Sequence, residues 1–419
     1  MPRSIFSLSL AAALLAPALP ATALAATPTV EERLQALEAG YARLKEENER
    51  LRALLAGAPP AVPPAQATPP PGRTEGPVAV HAAGKEQSLT LGGFIQGQYE
   101  SGGAGDQRFV GIDDRFYFRR ARVAVTGSFA EHFDFRIEGD FGANSAGAST
   151  GLRASANEIY VNWNRYPQAN IRVGYLKPAF GGEQLASDVT MPTIERYLGS
   201  DRIADGRQPG LGAYGSFLDR RIGYMLTLGH GNGPASSAND DNRFLGAVRL
   251  YGTMFDSPGA GRLVAAVNAM RSEDTAAFRP GFGFELASST LPDGIFRGKR
   301  VGWGVDAAWI LDRAYVGGEL LRERFEPANA VPFASFDAQG WQLTAGYMVV
   351  PRRLQAVLRR EVFDPNLDVG GDATEIWVAG LNWLVKGDDI KLMVNYLFGD
   401  APGLPDDPGR LIARVQLIY

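Results

Sequence analysis

From Leu89 to Tyr419 apolar and polar residues alternate with a period of two, and this limits the fold more than any other feature of the chain. In "FDFRIEGDF", Phe133, Phe135, Ile137 and Phe141 share one face, while Asp134, Arg136, Glu138 and Asp140 share the other. "EIYVNWN" sets Ile159, Val161 and Trp163 against Glu158, Tyr160, Asn162 and Asn164. The pattern returns in "VGWGVDAAWIL" (Val301–Leu311), "WQLTAGYMV" (Trp341–Val349) and "KLMVNYLF" (Lys391–Phe398). A strand puts successive side chains on opposite faces, so each of these segments reads as a strand between two unlike surroundings.

The connections choose between a soluble sandwich and a barrel. Short links such as "FLDRR" (Phe217–Arg221), "VPRR" (Val350–Arg353) and "VKGDD" (Val385–Asp389) alternate with long polar ones such as "GNGPASSANDDN" and "EPANAVPFASFD". Short turns on one rim and long loops on the other are the signature of an outer-membrane barrel. Aromatic residues near strand ends (Trp163, Tyr166, Trp383, Tyr396, Phe398) fit its interfacial girdles. About 16 strands of roughly ten residues fit the length of 89–419. The fold class is therefore all-β: a transmembrane antiparallel β-barrel of about 16 strands, with an N-terminal α-helical coiled-coil segment. The last strand, "RLIARVQLIY", ends on Tyr419, an aromatic ending of the kind the outer-membrane assembly machinery reads, with Phe as the usual residue.

Three segments precede the barrel. Residues 1–25 read as a secretory signal peptide: Arg3, an apolar run from Ile5 to Leu19, and Ala23-Leu24-Ala25 as cleavage site. Pro17 and Pro20 break that run too early for it to span a bilayer. Residues 26–57 form heptads, with Leu34, Tyr41, Asn48 and Leu55 at one seam position and Val30, Leu37, Leu44 and Leu51 at the other. So narrow a stripe calls for association with other copies, and Asn48 would fix the register. An amphipathic helix lying on its own domain is the alternative. Residues 58–88, rich in proline and alanine, read as an extended linker.

The chain contains no cysteine and has a net charge of -4, which removes a disulfide scaffold and a strongly basic nucleic-acid binder. His81, His132 and His230 are scattered without ligand spacing, so no metal site or cofactor is expected. "GIFRGKR" (Gly294–Arg300) lacks the spacing of a phosphate-binding loop and the Ser or Thr after its lysine. Asp113-Asp114 and Asp240-Asp241 read as loop charge that cations could bridge to lipopolysaccharide. No nucleophile, base and orienter stand together, and an enzyme is not expected.

The irregular stretch between Phe180 and Gln208 is the third external connection, long and without evident internal secondary structure, which marks a functional loop. If it folds inward it sets the pore. The segments "FYFRRARVAVTGSF", "NIRVGYLKPAF" leading into "TIERYLGSDRIADGRQPGLGAYG", and "GYMLTLGHGNG" resemble those of the phosphate-selective porins O and P, trimeric barrels of the Gram-negative outer membrane. The resemblance implies passive diffusion of small anions, phosphate or polyphosphate, through a homotrimer set in lipid and lipopolysaccharide, with its N-terminal segment periplasmic. It implies Arg196, Arg202 and Arg207 at the constriction. It also implies Arg120, Arg122, Arg172, Lys177 and Arg249 on the lumen wall, where the alternation sets them opposite Ala121 and Val123, Val173 and Tyr175, and Val248 and Leu250. Guanidinium suits phosphate because its planar fork donates two parallel hydrogen bonds and stays charged.

Against this, residues 181–208 hold five acids (Glu183, Asp188, Glu195, Asp201, Asp205) and three arginines, a net of -2. A weakly selective general pore and a structural barrel anchoring an envelope-spacing coiled coil are therefore the alternatives. A sugar channel would need an aromatic slide that Phe94, Tyr117 and Tyr160 do not form.

Overall fold

The computed structural model describes residues 45, 78–81, 88–143, 146, 152–233, 238–278, 280, 295–328, 334–404 and 409–419. The expected signal peptide (1–25) and, Lys45 aside, the expected coiled coil with its seam (26–57) lie outside these residues.

Among the described residues seventeen strands follow in chain order: β1 (Val78–His81), β2 (Ser88–Gly102), β3 (Arg115–Phe129), β4 (Phe133–Asp140), β5 (Ser155–Tyr166) and β6 (Ala169–Leu176). They continue with β7 (Gln208–Phe217), β8 (Ile222–Gly229), β9 (Leu245–Ser257), β10 (Gly261–Phe278), β11 (Phe296–Leu311) and β12 (Ala314–Pro327). The last are β13 (Phe336–Val350), β14 (Leu354–Asp364), β15 (Thr374–Lys386), β16 (Ile390–Asp400) and β17 (Arg410–Ile418). From β2 onward each strand pairs antiparallel with its chain neighbour, and β17 returns to β2, with Arg410 opposite Gly102 and Ile418 opposite Phe94. The result is a closed 16-stranded antiparallel barrel, with no free edge among those strands. The short β1, inside the stretch read as linker, pairs with the start of β2, Val78 opposite Leu91 and His81 opposite Ser88.

The alternation resolves into an apolar outside and a polar inside. Phe116, Val161, Trp303, Leu343, Trp383 and Val415 are exposed on the outer face. Gln96, Asp134, Asn268, Thr344, Glu361 and Arg414 are buried on the inner one. At the short-turn rim Trp163 meets Tyr166 edge-on with ring centroids 5.7 Å apart, and Phe217 stacks on Tyr224 at 6.0 Å, an interfacial girdle.

The inside is filled by the third long loop, Lys177–Arg207. Contrary to the expectation of a structureless segment, it carries two short helices, α1 (Gly182–Leu185) and α2 (Leu198–Ile203). Phe180, Leu185, Tyr197, Leu198 and Ile203 bury themselves against inward side chains of one side of the barrel, among them Met270, Leu321, Phe325, Phe336 and Phe363. A lumen of this size is normally wet. This apolar cluster is what draws the loop to that wall.

The loop backbone comes up against the wall backbone at Gly199 in α2 and Gly340 in β13. A Cβ on Gly340 would lie 2.6 Å from the Gly199 Cα, and one on Gly199 would lie 2.8 Å from the Gly340 Cα. Backbone therefore rests on backbone, and neither position has room for a side chain. Gly340→Val is expected to lift α2 from the wall while leaving the barrel able to close. Heat-modified electrophoretic mobility should still report a folded barrel, and single-channel conductance should change from that of the parent.

Candidate functional site

Because the loop leans on β10–β14, a cavity of about 280 Å³ is left between its other side and the wall that carries β3, β5 and β6. Eight cations line it: Arg119, Arg120 and Arg122 from β3, Arg108 from the first loop, and Lys177, Arg196, Arg202 and Arg207 from the third. Two carboxylates, Asp188 and Asp201, face them, so eight less two gives a formal charge of +6 on the lining. The loop's own net of -2 is misleading, because three of its five acids do not face the cavity.

Those acids bind the barrel. Glu195 takes a bidentate pair from Arg119 (Nε to Oε1 and Nη2 to Oε2, both 2.9 Å) and a further bond from Arg414 of β17. Glu183 accepts from Arg359 of β14 at 3.0 Å and from the Tyr197 amide at 2.9 Å. Asp205 accepts from both Nη atoms of Arg300 in β11 at 3.2 Å. Burial alone would raise the pKa of Glu195, but the charges of Arg119, Arg414 and Arg120 hold it well below the usual carboxylate range. Its pairing therefore persists as pH falls, until the strongly acid range where the carboxylate is finally protonated.

The expected site residues divide. Arg196 and Arg120 meet the same Asp188 oxygen at 2.6 and 3.2 Å, and Arg122 donates to its other oxygen at 2.6 Å. Arg196 also ties the loop together, donating to the carbonyls of Glu183 and Ala186 at 2.9 and 3.0 Å. Arg202 and Arg207 border the cavity, and Arg207 pairs with Glu158 of β5 at 3.2 Å. Arg172 faces inward just beyond it, its guanidinium 4.0 Å from the Tyr160 ring centroid and 4.8 Å from that of Tyr214.

Arg249 is apart from the cavity, locked to Asp306 by two hydrogen bonds, that of Nη2 being 2.8 Å long. Lys177 belongs to the loop rather than to the wall strand, and Tyr175 borders the same cavity instead of facing away. The reason is Gly174, whose φ of +147° breaks the alternation at the end of β6.

Arg119 escaped the alternation reading. Phe116 and Phe118 point outward, yet so does Val123, which shifts the phase by one residue between them. The ladder slips there, Gln96 opposite Arg120 but Gly97 opposite Phe118, and this bulge turns both Arg119 and Arg120 inward. The phase shift was legible in "FYFRRARV". Arg108 had no such signal; the first loop folds it in, where it pairs with Asp106 and Asp201, each at 2.7 Å.

With this geometry described, the similarity to known proteins is specific. Residues 90–248, which span the strands and loop that build the cavity, match the family described as phosphate-selective porin O and P. That stretch of the chain is similar to the family. It is 24% identical to porin O of Pseudomonas aeruginosa over 350 residues, 76% of this chain and 77% of that one. Among solved structures it resembles OmpF of Salmonella typhi in complex with daunomycin (TM-score 0.56, 12% identity), covering 82% of this chain and all of the other. It likewise resembles an anion-selective porin of Comamonas acidovorans (TM-score 0.54, 14% identity), covering 80% of this chain and all of that one. At these identities the structural likeness concerns the fold. The family match and the barrel fold support an outer-membrane porin and point to a channel.

Removing one partner of a buried ion pair strands the other charge, at a cost of about 3–5 kcal/mol. Glu195→Gln should therefore lower the urea midpoint of unfolding and make the open-channel current noisier, whereas an exposed change such as Arg313→Gln should do neither. A pH effect is expected as well. Burial first, then the charges of Arg207 and Arg196, push the half-buried Lys177 ammonium well below its ordinary value. A charge so depressed is present below its lowered pKa and lost as pH rises through it. The chloride-over-potassium permeability ratio should therefore fall as pH rises, at a lower pH than ordinary lysines titrate, and Lys177→Met should abolish that step.

Proposed function

We propose that this porin passes small anions by diffusion and that its constriction favours multiply charged oxyanions, phosphate above all. The observation that carries this reading is the cavity lining, eight cations to two carboxylates, in which the buried Arg119 Nη1 and Arg120 Nε have no hydrogen-bond partner among the described residues. Buried guanidinium donors without acceptors are costly unless something supplies oxygens, and a phosphate supplies several at once. The family's description as phosphate-selective agrees with this chemistry. Arg172, just beyond the cavity, extends the positive lining along the wall, and moderate sites in series conduct where one very tight site would block.

The assembly reading is a homotrimer with the N-terminal heptads in the periplasm. It rests on the seam from Leu34 to Leu55 and on the likeness to OmpT of Vibrio cholerae, described in a trimer form. Lipid and lipopolysaccharide would surround the apolar outer face.

Planar-bilayer recording under a potassium chloride gradient tests the proposal. The reversal potential should favour chloride, and added phosphate should block the chloride current. Charged hydrogen bonds are each worth about 1.5–3 kcal/mol. Arg120→Ala, Arg202→Ala and Arg207→Ala should thus each raise the half-blocking phosphate concentration by about tenfold or more. A channel without chloride preference, unblocked by phosphate, would reduce these arginines to partners of lumenal acids in a general pore.

A further inference from the structure

We infer that Asp188 is a built-in counter-anion of the constriction: its carboxylate occupies the guanidinium cluster that a permeating oxyanion must take over, and so limits how tightly and how long that anion is held. The inference rests on the anion-porin reading above and concerns one residue within it.

Two kinds of carboxylate lie in this region, and they are bound differently. Glu195 is saturated by the bidentate Arg119 pair and Arg414. Asp140 is equally well held, accepting from Arg122 Nε at 2.8 Å and from the amides of Ala121 and Gly142 at 3.0 and 2.9 Å. These are anchors. Asp188 instead borders the cavity on the loop side and is shared by three guanidiniums from two elements, Arg120 and Arg122 on β3 and Arg196 on the loop.

Its Oδ1 is at ion-pair distance from Arg120 and Arg196, yet accepts a directed hydrogen bond from no group among the described residues. Only Oδ2 does so, from Arg122. A single carboxylate thus neutralises part of a cluster whose forks it cannot fill.

A tetrahedral dianion has more charge and more acceptor oxygens than a carboxylate, and it can replace Asp188 without leaving any guanidinium uncompensated. Lys177 lines the same cavity, and when protonated its ammonium offers the displaced carboxylate a second cation. Entry and release then become exchanges between two anions. Release is helped by the returning Asp188, which is how a strongly positive site avoids trapping its cargo.

The test is a titration of inorganic phosphate against chloride current in bilayers holding the parent, Asp188→Asn or Asp188→Glu, each verified as a folded barrel by heat-modified mobility. Asp188→Asn keeps shape and removes the charge. It should lower the half-blocking phosphate concentration at least tenfold, about 1.4 kcal/mol, and lengthen each blocked interval. Asp188→Glu should stay within about threefold of the parent.

Weaker or unchanged block in Asp188→Asn would overturn the inference and make Asp188 a strut that merely positions Arg120, Arg122 and Arg196. Asp188 is equally a strut if Asp188→Asn fails to fold while Asp188→Glu folds, or if the Glu variant behaves like the Asn variant. A parent channel without chloride preference or phosphate block would overturn the anion-porin reading itself and this inference with it, an outcome distinct from the others because it is seen before any variant is compared.

Discussion

A chain segment that crosses the inside of a barrel takes its peptide groups away from the sheet and from bulk water, and every other feature of the lumen follows from how those groups are satisfied. The wall supplies the partners from side chains. Asn395 accepts from the Ile194 amide at 2.7 Å, Glu361 from that of Leu198 at 3.1 Å, and Thr227 Oγ1 from that of Ala179 at 2.8 Å. On the acceptor side, Asn382 donates to the Pro192 carbonyl at 2.7 Å and Lys391 to that of Val189 at 2.8 Å. These wall residues come from β8 and from β14, β15 and β16, well separated around the barrel, so the loop is fixed as a unit with the wall.

Charge then decides what remains of the pore. The loop is acidic by composition, but Glu183, Glu195 and Asp205 are taken up by Arg359, Arg119 with Arg414, and Arg300. What the loop presents to the remaining space is three arginines and a lysine against two carboxylates, Asp188 and Asp201, and the arginines of β3 add to the positive side. Net charge of a segment is therefore a poor guide to the field it creates; the direction in which each carboxylate points is the deciding variable.

Much of the barrel was legible because a membrane enforces it. Outward positions must be apolar on every strand, so Trp303 or Leu343 announces its face without reference to any neighbour. The alternation also indicated the inward face of Arg120, Arg122, Arg172 and Arg249. It could not indicate their company. Arg249 is neutralised by Asp306, 57 residues away, while Arg120 and Arg122 share Asp188 across the lumen, and nothing local in either strand distinguishes the two cases. The helices α1 and α2 were hidden for a related reason: they are four and six residues long, and the wall rather than any periodicity of their own stabilises them.

The contact of Gly199 with Gly340 separates two tasks that a narrow channel would otherwise have to solve together. One half of the barrel acts as a seat, where shape is fixed to the width of a backbone and substitutions displace the loop. The opposite half, β3 to β6, meets the loop through charged side chains, Arg119 with Glu195, Arg120 and Arg122 with Asp188, and Glu158 with Arg207, and not through backbone contact, so matched changes of charge there leave the glycine seat untouched. A lineage, or an engineer, wishing to admit a different solute from the same scaffold would therefore rewrite the facing wall and leave the seat alone.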